Sequence, residues 1–277
     1  MKHSMFRTSV FAVALSVLAI VAAARQAAPL LPPLRADAAG QLKLRHNELI
    51  PAEYGVAVAA AAQATNTDPA FLFALAARLK FATVTYGASA EGDPDAPVGG
   101  PYAYGSVHWL SDLAAFGKDA GYPELAMAVV KSPTGVLEIV DAKLRFRAMT
   151  ARTDPYLSSF LAAKAWQQAR KELEIKRAAS DGLVMIAFLS GVHAANSLAE
   201  RSKKDRKEPL KWAFPAGYNV LLTMIGLPAR DVRNDAEWTI GNFIDEVTDL
   251  IRTDTSAYSA ARRIDVPVGY LSRKPMS

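Results

Sequence analysis

The 277-residue chain has no cysteine, which excludes disulfides, thiolate metal sites and cysteine nucleophiles. It has four histidines, His3, His46, His108 and His193, too far apart to offer metal-ligand spacing, so no metal site is predicted. It has no Gly-x-Ser-x-Gly elbow and no phosphate-cradling glycine loop, which leaves nucleophilic hydrolase and nucleotide chemistry without support. Strict apolar–polar alternation is also missing, so no large sheet is expected. The charge excess is small. A formal +5 falls to 30 basic against 27 acidic residues once Lys2 and Arg7 are set aside, too mild to imply nucleic acid. Only one apolar run stands out, and at 15 residues from Val10 to Ala24 it falls short of the ~20 that cross a bilayer as a helix.

What is present begins with that run. A basic start in Lys2 and Arg7, the apolar stretch, and the small residues Ala22, Ala23 and Ala24 together have the form of a secretory leader over residues 1–24. The sequence therefore predicts export to the periplasm, the alternative being an uncut leader that anchors the chain in the inner membrane. Residues 25–49, rich in Pro and Ala at their start, are expected to be a linker. From about Ile50 the punctuation is helical. Asp68-Pro69, Ser132-Pro133 and Asp154-Pro155 each place an oxygen at an N-cap and a proline at the first helical position, and Ser180-Asp181 and Asp231 are further candidate starts. Apolar residues recur at helical spacing, as in Val136, Ile139, Val140 and Leu144. The expectation is a mostly α-helical domain over 50–226 with roughly eight helices and a long loop from Tyr86 to Pro101, then a C-terminal helix and loosely held tail over 227–277.

Glycan cleavage needs a carboxylic acid held neutral near pH 7, so that it can protonate the bridging oxygen as positive charge grows on the sugar. A Glu at a helix end beside a partly apolar cleft meets that need, and the helix from Asp68 to Lys80 has the right form to carry one. "DPAFLFALAARLKF" followed by "GPYAYGSVHWL" resembles the lysozyme-like domain of bacterial lytic transglycosylases, whose pattern is a helix ending in Ala-Arg-Arg-Glu-Ser, a loop, Gly-Leu-Tyr-Gln-Phe and Thr-Trp-Leu. "LRFRAMTARTDPYLSSFLAA", "AFLSGVHAA" and "FPAGYN" are similar to later segments of that family, so the likeness spans roughly Gly55 to Met224. The resemblance implies a lysozyme-like fold, peptidoglycan glycan strands as ligand, no cofactor and no metal. It also implies Tyr102, Tyr104 and Trp109 as substrate-binding aromatics, for which packing in the core is the competing role.

The departures from the pattern bear on activity. With Arg78 on the family arginine, Leu79 falls at the catalytic Glu, Lys80 at the following Ser, Ala103 at the cleft Gln and Ala187 at a later His. Leucine has no ionisable proton. Lys80 points about 100° away around the helix, and an ammonium is a poor acid at neutral pH. Among the loop carboxylates Glu91, Asp93 and Asp95, Glu91 is the candidate for a relocated catalytic acid, while hydrated turn residues are the plainer alternative. Three functions stay open: a pseudoenzyme that binds glycan strands, an active transglycosylase with a relocated acid, and an envelope scaffold that meets a partner protein through the basic stretch Arg201–Lys207.

Overall fold

The structure is a computed structural model that describes residues 32–45, 48–79, 98–176, 179–215, 217–231, 233 and 236–270. The described residues from Leu34 onward belong to one unit, built of eleven helices and four two-stranded antiparallel sheets. No described helix is long and apolar enough to cross a membrane.

Residues expected in the linker form the first sheet. Strands β1 (Gln41–Arg45) and β2 (Glu48–Pro51) pair with Leu42 opposite Ile50, and both side chains are buried. They close over α1 (Ala52–Thr65) at Gly55, where a Cβ would come within 2.5 Å of the Leu42 methyl. The sequence hid this pairing because the alternation is only four or five residues long in each strand. The tail is also held: Leu34 bridges Ile264, and Leu34 N–H donates to the Arg263 carbonyl at 2.7 Å.

Helix α2 (Pro69–Arg78) starts where expected, with an Asp68 oxygen accepting from Ala70 N–H at 3.0 Å. After the undescribed stretch come β3 (Val98–Gly99), β4 (Tyr104–Gly105) and α3 (Ser106–Phe116). Then follow α4 (Pro123–Ala128), β5 (Val130–Lys131), β6 (Leu137–Glu138) and α5 (Ala142–Thr150). Ser132-Pro133 does not start a helix. The Ser132 hydroxyl accepts from Val136 N–H at 3.1 Å, and Gly135 takes a left-handed φ of 86°, so the segment turns back as the β5–β6 hairpin. The helix in this region starts later, capped by Asp141 on Leu144 N–H at 2.8 Å.

The longest helix, α6 (Pro155–Ile175), runs through the core and is capped by Asp154 on Leu157 N–H at 2.8 Å. Its Ala162 and Ala163 face the alanine-rich α1, and small side chains on both sides let the two helices approach closely. Beyond it lie α7 (Asp181–Ser190), α8 (Val192–Lys204), the four-residue α9 (Leu210–Ala213) and α10 (Tyr218–Ile225). Strands β7 (Arg230–Asp231) and β8 (Ala236–Glu237) precede α11 (Ile240–Ala257). Asp231 is not a helix start. It is buried and accepts from Arg233 N–H and Asn242 Nδ2 at 3.0 Å each, while Thr239 caps α11. Among the described residues of 50–226 ten helices replace the expected eight, in part because α4 and α9, at six and four residues, are too short to show a period.

Candidate functional site

The end of α2, the hairpin β3–β4 and α3 bring the resemblance-derived residues together. Leu79 closes α2, donating its N–H to the Leu75 carbonyl at 3.1 Å, and its side chain has no exposed surface. It lies in the principal apolar core with Leu75, Ala76 and Tyr102. The neighbouring Arg78 turns away to Asp254 on α11, its Nε donating at 2.8 Å and its Nη2 closing the ion pair. Asp254 is itself buried, and Arg45 approaches its other oxygen at 3.9 Å. Arg78 therefore ties α2 to α11. His3, His46, Lys80, Glu91, Asp93 and Asp95 lie outside the described residues.

The hairpin sits on a buried arginine. Arg152 is 1% exposed, and it donates from Nε to the Met149 carbonyl at 3.0 Å and from Nη1 to the Tyr104 carbonyl at 3.3 Å. Gly99 and Gly100 are glycines because Arg152 lies against them. A Cβ on Gly100 would meet the Arg152 carbonyl oxygen at 1.9 Å, and Gly100 also has a left-handed φ of 71°. Ala103 closes the turn, its N–H bonded to the Gly100 carbonyl at 3.2 Å, with a left-handed φ of 51° that a Cβ disfavours.

The three aromatics take different places. Trp109 has no exposed surface, and its indole N–H donates to the Ala148 carbonyl at 2.8 Å, so its ring offers no face to a ligand. Tyr102 and Tyr104 are also buried rings, but both reach the wall of a recess of about 160 Å³. Ala103, Gly105 and His108 complete that wall on the hairpin side, and Phe188 and Leu189 of α7 and Met224 of α10 close the other. The Tyr102 hydroxyl shares a hydrogen bond with Ser159 Oγ at 2.9 Å. Tyr104 packs edge-on to Trp109 and Phe188, with centroids 5.2 and 6.0 Å apart. The recess holds one small group. It is well below the ~300 Å³ at which ligand pockets usually begin. His108 is exposed at its rim, and His193, on α8, is exposed outside its lining.

Asp112 is the chemically distinctive group that sequence reasoning passed over. It lies one turn after His108 on α3, half-buried beside Trp109 and Leu113, and does not line the recess. Burial pushes its carboxyl up to about 7, while the Tyr104 hydroxyl facing it pulls in the other direction. That hydroxyl is enclosed, and although it closes no well-formed hydrogen bond, Asp112 lies near enough for the two groups to act on each other. Burial, and then the Asp112 charge, hold the Tyr104 phenol well above its ordinary range. The signal in the sequence was an acidic residue set four after His108 among Trp109, Leu110 and Leu113, a spacing that shares one helix face.

The basic stretch is largely paired within the chain. Arg201 bonds Glu208, Lys203 bonds Glu200 at 2.8 Å and Arg206 bonds Asp245 at 2.7 Å. Among the described residues no cluster of three His, Asp or Glu could hold a metal ion. Compared with family models, with curated proteins and with solved structures, the chain finds no match in any of the three.

Proposed function

We propose that this is an exported cell-envelope protein whose helical domain binds peptidoglycan glycan strands and does not cut them by the lytic transglycosylase route. The observation that carries the proposal is Leu79. At the position the resemblance assigns to the catalytic Glu stands a hydrocarbon side chain with no exposed surface, packed into the principal core. Among the described residues, that side chain offers neither a proton donor nor a surface open to a sugar bridge. The order helix, connection, hairpin, helix from α2 to α3 supports the lysozyme-like part of the reading, and the recess beside Tyr102 and Tyr104 supports capture of one substituent of a sugar.

Asp112 does not restore the missing acid, because it stands on α3 behind Tyr104 and outside the recess lining. The scaffold alternative draws little from Arg201–Lys207, since pairing within the chain already satisfies most of its cations. The test is sedimentation with insoluble peptidoglycan, with the supernatant assayed for anhydro-muropeptides. Protein in the pellet and no released product is the expected result. Protein left in the supernatant overturns binding, and released product overturns the loss of cleavage.

A further inference from the structure

We propose that the uncharged face around the recess is where two copies of this chain pack together, about a two-fold axis that sets Val107 of one copy against Val220 of the other. The inference stands apart from the glycan reading, and a sugar substituent in the recess would compete with it.

The face is marked first by what it lacks. Three segments contain no Asp, Glu, Lys or Arg: 98–111, 182–199 and 212–229. The chain as a whole is 21% charged, so three such segments meeting at one place are a property of that place and not of the composition. They do meet, since the recess draws Tyr102 and His108 from the first, Phe188 and Leu189 from the second and Met224 from the third. Burial accounts for part of the lack, because α7 and α10 bury several of their side chains. It does not account for the exposed positions, where charged side chains ordinarily sit: Val107, His108 and Ser111 on α3, Ser190 at the end of α7, Asn219 and Val220 on α10. Depletion of charge over an exposed surface is the compositional mark of an interface core.

The relief of the face is the second observation. Val107 is 65% exposed and adjoins His108 on the hairpin side of the recess. Val220 is 61% exposed and stands one turn before Met224, which closes the opposite wall. The recess is therefore flanked by two protruding valines. A two-fold axis lying in the face and crossing the recess exchanges its two sides, so each Val107 meets Val220 of the other copy and both leave water. An unlike partner would need only a knob or a hollow, whereas a face that carries both fits itself. The missing charge serves the same end, because a patch of one sign repels its own copy in a two-fold contact, and this patch carries no Asp, Glu, Lys or Arg to do so.

The test follows self-association of the full chain by sedimentation equilibrium with no glycan present, so its failure is separable from failure of glycan binding. A reversible dimer is expected, and raising salt from ~0.05 to ~0.5 M is expected to leave it intact, because no ion pair holds it. Val107→Glu and Val220→Lys, both at positions where a folded monomer leaves a charge in water, are each expected to weaken the dimer about tenfold or more, since the charge is then desolvated against a valine. Mixed one to one, the two variants are expected to recover the dimer, because the introduced carboxylate faces the introduced ammonium and the second contact keeps its two valines. Circular dichroism checks that each variant folds, and the salt series on the native chain reads without any variant. A chain that stays monomeric at its highest soluble concentration, a dimer that salt dissociates, a dimer indifferent to both substitutions, or a mixture no more associated than either variant alone would overturn the proposal.

Discussion

At the scale of single residues, burial decides what each group in the α2–α3 region can do. Leu79 has no exposed surface, so Leu79→Ala is expected to cost about 2–4 kcal/mol in urea denaturation, the range for deleting a buried leucine side chain. Leu79→Glu is expected to cost at least as much, because burying a carboxyl there without a partner is unfavourable, and to gain no glycan cleavage, because the side chain at 79 has no exposed surface from which to meet a sugar. Gly100→Ala drives a Cβ into the Arg152 carbonyl and is expected to destabilise by more than about 2 kcal/mol. Ala103→Gly relieves the left-handed turn and is expected to change stability by less than about 1 kcal/mol in the same assay. Asp112 gives a pH dependence. Its carboxyl is raised in the folded chain, so the folded state holds the proton more tightly and stability is lost as pH rises from about 4 toward about 7. Asp112→Asn is expected to flatten that decline and to gain about 1–3 kcal/mol at pH 8, measured by urea denaturation across pH. A decline that persists in the variant would assign the pH dependence to another group.

At the scale of elements, the link between α2 and α11 is a chemical tie over an apolar contact. Asp254 is buried, and Arg78 donates to it through Nε and Nη2. Arg78→Met leaves the carboxylate buried with only the distant Arg45, and is expected to cost about 3 kcal/mol. In a double-mutant cycle with Asp254→Asn, the two losses are expected to sum to more than the double variant shows, and strict additivity would mean that the pair is not coupled. The starts of α2, α6 and α7 were legible in the sequence because an Asp or Ser oxygen, twice followed by Pro, is a local device with one geometry. Ser132-Pro133 carries the same two residue types and makes a hairpin instead, because Gly135 two residues on supplies the left-handed position a tight turn needs. The hairpin β1–β2 was not legible, since it exists by burying Leu42, Leu44 and Ile50 against α1, and no local pattern encodes a partner.

At the scale of the whole molecule, the helical class was legible and the candidate site only partly so. The resemblance brought Leu79, Tyr102, Tyr104 and Trp109 into one region, and the fold does gather them, Leu79 and Trp109 wholly within the core and Tyr102 and Tyr104 as buried rings that also reach the recess. Spacing along a chain tells which residues meet; it does not tell which side of the meeting is open to solvent. Asp112 escaped notice for the same reason: burial, which the chain's spacing does not show, is what raises its carboxyl. The described residues form a mostly helical unit, and Leu79, which the resemblance sets at the acid position, belongs to its packing. The measurement that reaches this most directly is incubation of the full chain with purified peptidoglycan, followed by separation of pellet and supernatant and detection of anhydro-muropeptides. Protein in the pellet with no anhydro product even at high protein concentration is the expected result; anhydro-muropeptides in the supernatant, or a chain that does not sediment with the glycan, would contradict it.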